Sequence, residues 1–328
     1  MKAIVFDGEK AVYRTDVAMP ERREGHSLIK VIMADICSTD KEILKGYRPD
    51  FRGIMGHEFV GRVIESDRED LIGKTVVGEL NEGCGKCLYC RTGREKHCLS
   101  RAVIGMTIDG CFAEYMVLSD HLLHIVPEGL KPELAIFTEP LAAALEIVKQ
   151  VKIDPSLNAA VIGDGRLSYM IAQVLSLSGT DLTVIGRHPE KLKMFEPFAK
   201  TALLENYKTE GGFRQLSAEE CFEYVVDAAG NESGIETAMK LVRRMGTIIL
   251  KSTYAGRTAI DMSYFAVNEV TLTGSRCGPF EPALKLLKEG RVSFPPVELY
   301  ELNDFEKAFA SSAFKAGFCF SGCCLPDP

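Results

Sequence analysis

The hydrophobic pattern changes period part-way along the chain. Up to about Leu145, short apolar runs such as SLIKVIMADI, GRVIES, KTVVGEL and EYMVLS are cut by glycines and charged turns. That pattern predicts a β-rich region without a long helix. After Pro140, apolar residues recur at helical spacing through Leu141, Leu145, Val148 and Val151. Beyond them NAAVIGDG, DLTVIGR, FEYVVDAAG, GTIILKS and EVTLTGS predict strands, and helices are predicted over 168–178 and 235–243. Strands alternating with helices predict an α/β fold with a doubly wound parallel sheet covered on both faces. One more helix, over 282–289, precedes a return to strand-and-turn text. The change of period divides the chain into residues 1–150, 151–277 and 278–328.

A length of 328 residues suits about two domains rather than one core. Hydrophobic residues make up 46% and charged residues 26%, yet no apolar run approaches the roughly 18 to 20 residues that would span a bilayer. No membrane partner is expected. The opening MKAIVFDGEKAVYRTDV alternates like a strand and lacks the pattern of a secretory signal, so a cytoplasmic location is expected. A net charge of −7 and a pI near 5.6 argue against a nucleic-acid partner and favour small-molecule chemistry. Eleven cysteines in a reducing compartment point to metal or thiol chemistry rather than disulfides.

Their spacing is informative. In GCGKCLYCRTGREKHC, Cys84, Cys87, Cys90 and Cys98 occupy one glycine-rich, charged loop within a lobe at about residues 80–100. Four thiolates there can close a tetrahedral zinc shell without outside help, and closed four-sulfur sites are structural. The spacing does not match the ferredoxin patterns of iron–sulfur clusters. His97, beside Cys98, is read as solvated. Cys319, Cys323 and Cys324 crowd the carboxyl end without an obvious fourth ligand and are read as tail packing.

In the second half, NAAVIGDGRLSYMIAQVL places Gly163, Gly165 and Ser168 where a dinucleotide-binding fingerprint expects three glycines. A strand precedes the turn and a helix follows, as a Rossmann βαβ unit requires. Gly163 allows the tight turn, Gly165 lets a pyrophosphate approach the backbone, and the helix amino terminus offers N–H groups. The next strand ends in Gly186, Arg187 and His188, where NAD enzymes place an acid. With a base there instead, a 2′-phosphate would be bound rather than repelled, which predicts NADP in preference to NAD.

ADICSTD, GIMGHEFVG and FTEPLAAALE hold Cys37, Asp40, His57, Glu58 and Glu139. Singly, such residues are usually structural. Their order, together with the four-cysteine lobe and the glycine turn, resembles the medium-chain, zinc-dependent alcohol dehydrogenase family across essentially the whole chain. That resemblance implies a GroES-like β-barrel catalytic domain, with the final segment returning to it, joined to a Rossmann domain. It further implies a catalytic zinc on Cys37 and His57 with Glu58 or Glu139 as carboxylate ligand, in addition to the structural zinc. Asp40 would hold His57, and Thr39 matches the family's hydroxyl relay. Glu42 stands where several relatives carry a relay histidine, and Ser38 where some carry an arginine. Glu139 is similar to the polyol and sorbitol branch. The implied activity is hydride transfer between NAD(P) and a secondary alcohol, polyol or cyclitol, by a homodimer or homotetramer. The competing readings are a zinc-free quinone or enoyl reductase of the same fold, and a zinc- and dinucleotide-binding redox sensor without turnover.

Overall fold

A computed structural model describes residues 1–253 and 257–320. The chain divides into two compact units, Met1–Glu139 with the segment from Phe280 onward, and Pro140–Pro279. The division falls inside a helix, Thr138–Gln150, rather than near residue 150. Cys323 and Cys324 lie outside the described residues.

The first unit is built on antiparallel strands. β1 (Ala3–Phe6) and β2 (Ala11–Arg14) form a small sheet with Gly53–Ile54. A larger sheet is centred on β3 (His26–Asp35), whose sides alternate poorly because both faces are covered. β3 pairs with β4 (Glu58–Glu65), with Tyr115–Ser119 and with a late strand, Ala316–Cys319. Between β3 and β4 the chain forms one short helix, α1 (Ser38–Leu44). The register decides what meets at the end of β3: Asp35 lies opposite Glu58 on one side and Gly317 on the other. Residues just after β3 and just before β4 are therefore neighbours, although about twenty positions separate them.

The second unit is an α/β layer structure. Its main sheet is built of β5 (Asn158–Ile162), β6 (Asp181–Gly186), β7 (Lys200–Leu203), β8 (Phe222–Asp227), β9 (Val242–Leu250) and β10 (Thr271–Gly274), all parallel. They lie in the order β7–β6–β5–β8–β9–β10, which reverses direction between β5 and β8. Doubly wound sheets bind ligands outside the carboxyl ends of their strands at such a reversal. The helix after β5 spans Arg166–Ser176, two residues earlier than its apolar pattern predicts, because Gly165 is already its extended N-cap. The helix after β8 spans Ser233–Leu241, and Val242 starts β9 directly; Asn231 Oδ1 accepts the Ser233 N–H at 3.1 Å and so opens that helix early. The last predicted helix spans Phe280–Lys288. Among the described residues, no helix is long and apolar enough to cross a membrane.

Candidate metal and cofactor sites

The four-cysteine lobe brings its sulfurs together. The Sγ atoms of Cys84, Cys87, Cys90 and Cys98 all lie within 4.8 Å of one another, and those of Cys87 and Cys90 are 3.5 Å apart. A tetrahedral zinc with bonds of about 2.3 Å needs sulfurs roughly 3.8 Å apart, so the cluster is close to closing on an ion. The backbone N–H of Cys84 donates to Cys98 Sγ at 3.4 Å, the kind of contact that stabilises a thiolate. N–H groups of Lys86 and Cys87 lower the Cys84 thiol to about 6, while burial and the Cys87 side chain push Cys90 up to about 12. Four such sulfurs are all charged together only with a cation among them, and the donor set fits zinc. His97 is exposed and stays outside the cluster, its ring 6.4 Å from that of Tyr89. Glu95 buttresses the lobe, accepting the Gly83 N–H at 2.6 Å and facing His121 Nε2 at 2.9 Å.

At the end of β3 a second set converges. Ligating atoms of Cys37, His57 and Glu58 lie within 4.8 Å of one another. The chain reaches His57 through Gly56, whose φ of +91° suits glycine and whose absent Cβ would meet the Phe112 ring at 2.3 Å. Cys37 caps α1, and its N–H donates to Asp40 Oδ2 at 2.8 Å. The other Asp40 oxygen faces His57 Nδ1 at 3.4 Å, and both side chains are almost wholly buried. Thr39 Oγ1 lies 3.7 Å from the Cys37 sulfur. Glu139, in the first turn of its helix, is half-buried and outside this group, and Glu42 points to solvent, paired with Lys45 at 2.8 Å.

The field at this site is negative. Burial opposes charging of His57, yet Asp40 and Cys37 outweigh it and hold the imidazole pKa well above its ordinary value. Burial pushes the nearby Cys111 thiol up, and the charges of Asp40, Glu58 and Asp35 push it further. Sulfur, nitrogen and oxygen donors in a negative pocket fit a zinc ion held by few protein ligands, leaving a position for a reacting oxygen. One partner escaped the sequence reading. Lys315, itself buried, forms an ion pair with Glu58. A lysine inside the apolar run AFKAGFCF signals a buried charge partner, but only the register of Ala316–Cys319 beside β3 identifies it.

In the second unit, a cavity of about 250 Å³ opens at the carboxyl ends of β5, β6 and β8. Gly163, Gly165, Gly186, Arg187 and His188 line it. Gly163 has φ +114°, and a Cβ there would sit 2.7 Å from Ala228 O; a Cβ on Gly165 would meet nothing within 4 Å. The first glycine is thus required by the turn, and the second leaves an open cradle against the backbone. Ser168 is fully buried behind the turn rather than lining the cavity. Arg187 Nη2 donates to Ser233 Oγ at 3.0 Å. Asp164, between the two glycines, also lines the cavity and was passed over as a spacer in the sequence pattern.

Comparison with known proteins identifies the kinds of domain present. Residues 23–128 match the family model described as the alcohol dehydrogenase GroES-like domain, and residues 167–289 match that described as zinc-binding dehydrogenase. The chain is 27% identical to the erythritol/L-threitol dehydrogenase of Mycolicibacterium smegmatis, over 94% of this chain and 92% of that protein. It is 26% identical to D-arabinitol dehydrogenase 1 of Uromyces fabae, over 95% and 94%. A Sinorhizobium meliloti protein described as a zinc-binding dehydrogenase, solved with NADP, superposes with a TM-score of 0.85 at 24% identity, covering 97% of this chain and 98% of that one.

Proposed function

The chain belongs to the medium-chain, zinc-dependent alcohol dehydrogenase family, and we propose that within it the protein oxidises a secondary alcohol of the polyol or cyclitol class with NADP rather than NAD. It is a zinc- and NAD(P)-dependent oxidoreductase with a GroES-like domain and a Rossmann domain. The observation that carries the proposal is the convergence of Cys37, His57 and Glu58, with Asp40 behind the histidine. The polyol substrate is supported by the named relatives, erythritol/L-threitol and D-arabinitol dehydrogenases.

Zinc here would supply a Lewis acid for the alcohol oxygen, and the nicotinamide would accept the hydride. The rest falls to this chain's residues. Cys37, His57 and Glu58 would hold the metal, and Asp40 fixes the ring orientation by facing Nδ1, leaving Nε2 for ligation. The Thr39 hydroxyl, beside the Cys37 sulfur, would accept the alcohol proton at the inner end of a path to solvent. Glu42, tied to Lys45 at the surface, would serve at most the solvent end of that path. Glu139 would act from outside the ligand set. Support for NADP comes from Arg187 and His188 at the cavity and from the absence of an acid at the end of β6. We further place the enzyme in the cytoplasm as a homodimer or homotetramer; among the described residues β10 pairs with β9 alone.

The test combines metal analysis with a Cys37→Ser variant. Two zincs per wild-type chain, one in the variant, and loss of polyol oxidation are expected. Full turnover with unchanged metal content in the variant would sink the catalytic-zinc assignment, and a zinc-free active wild type would favour a zinc-independent reductase.

A further inference from the structure

Gly186 ends β6 at the position where NAD enzymes carry Asp or Glu. The room left by its missing side chain is occupied from elsewhere. A Cβ on Gly186 would lie 2.6 Å from Asp164 Oδ2 and 2.8 Å from Asp164 Cβ. The glycine turn thus delivers a carboxylate into the space that a strand-end acid would fill.

The carboxylate is held firmly there. Its Oδ2 accepts the N–H of Arg187 at 2.7 Å and of His188 at 2.9 Å, and His188 Nδ1 faces it at 3.0 Å. The side chain is 11% exposed. Burial raises its pKa, but the N–H groups of His188 and Arg187 and the His188 ring outweigh burial and keep it below the usual carboxylate range. It is ionised at neutral pH. Two consecutive backbone N–H groups converging on one oxygen form an anion-binding nest, and here the protein fills that nest itself. Arg187, meanwhile, turns its guanidinium toward Ser233. The adenosine end of the cavity therefore presents opposed features: basic side chains that attract a 2′-phosphate, and a fixed carboxylate that repels one and occupies two donors it would use.

We propose that Asp164 sets the cofactor discrimination of this chain: its carboxylate stands in for the absent strand-end acid, keeps NAD acceptable, and restrains the NADP preference that Arg187 creates. This rests on the dinucleotide reading of the cavity. Asp164 is a specificity residue with no part in the hydride step, so its substitution acts on cofactor binding.

The experiment is a fluorescence titration of NADPH and NADH against the purified, zinc-loaded protein and its Asp164→Ser and Asp164→Asn variants. Serine removes the charge and frees the nest; asparagine keeps the shape and removes the charge alone. In both, the ratio of the NADH to the NADPH dissociation constant should rise by roughly tenfold or more, through tighter NADPH binding. If Asp164→Ser folds poorly, the isosteric Asp164→Asn carries the test. An unchanged or lower ratio in a variant with wild-type zinc content and melting temperature overturns the assignment. The wild-type ratio reads the NADP preference separately, and Arg187→Ala, expected to lower that ratio, shows whether the basic side chain is its source.

Discussion

The residues that carry the chemistry are held by partners of unequal visibility in the sequence. Cys37, His57 and Glu58 stand in short motifs that can be read directly, whereas Lys315 is more than 250 positions from Glu58 and meets it only because Ala316–Cys319 joins β3. A Lys315→Met substitution leaves Glu58 buried without its countercharge, so stability should drop by roughly 3–5 kcal/mol in the zinc-free protein. Denaturant melts with and without zinc check this; equal loss in both would show that zinc does not take over the countercharge. Asp40 acts through His57. Asp40→Asn should weaken zinc at this site by about 10- to 100-fold while leaving the four-cysteine zinc in place, as metal-competition titrations would show. Asp164 offers a pH test. Its folded pKa is lowered, so its contribution is present above the unfolded value of 3.8 and is lost as pH falls through the folded value. The difference in stability between wild type and Asp164→Asn should therefore shrink as the pH is taken below about 4. A difference that persists at pH 2 would assign the effect to shape rather than charge.

Elements differ in how clearly their sequences announce them. β5, β6 and β8 are mostly apolar and mostly buried, and their positions follow from composition. β7 is four residues of mixed burial, KTAL, with no period to recognise, and it exists because its backbone pairs with β6. The start of β9 is equally hidden: Val242 and Arg243 continue the helical pattern predicted over 235–243, yet Met245 adopts φ +64° and the register with β8 shifts between Phe222 and Tyr224. Tertiary pairing overrides local propensity there. The four-cysteine lobe is the opposite case, since its spacing is its structure. Its regular structure is one short helix, Leu88–Arg91, a 3-10 turn over Glu95–His97 and the two-residue strand Asn81–Glu82, too little to be stable alone. Cys98→Ser should remove one zinc and open the exposed Lys86, Arg91 and Arg94 to trypsin, while the Cys37 site keeps its metal. An uncut variant with one zinc left would mean that the loop holds its shape through Glu95 and His121 instead.

For the molecule as a whole, the switch from strand text to alternating strands and helices reveals two kinds of unit, but not that the carboxyl segment supplies a central neighbour of β3. Nor does it reveal what completes the open edge of the second unit. Among the described residues β10 pairs with β9 on one side only, and Leu272 is 37% exposed. The preceding helix, Met262–Asn268, exposes Met262 and Val267 by 67% and 79%. An edge flanked by apolar side chains and carrying no charged residue within TLTG has only its shortness to keep other strands from pairing with it. In the homodimer or homotetramer proposed above, we propose that a second copy of the same strand covers this edge, antiparallel about a twofold axis. If that proposal holds, Leu272→Lys places two like charges close to that axis and should halve the mass, from a dimer to a monomer or from a tetramer to a dimer. Sedimentation equilibrium on the zinc-loaded variant measures this. A mass unchanged from wild type would move the interface to another surface, and a wild type that already sediments as a monomer would leave the edge protected by its shortness alone.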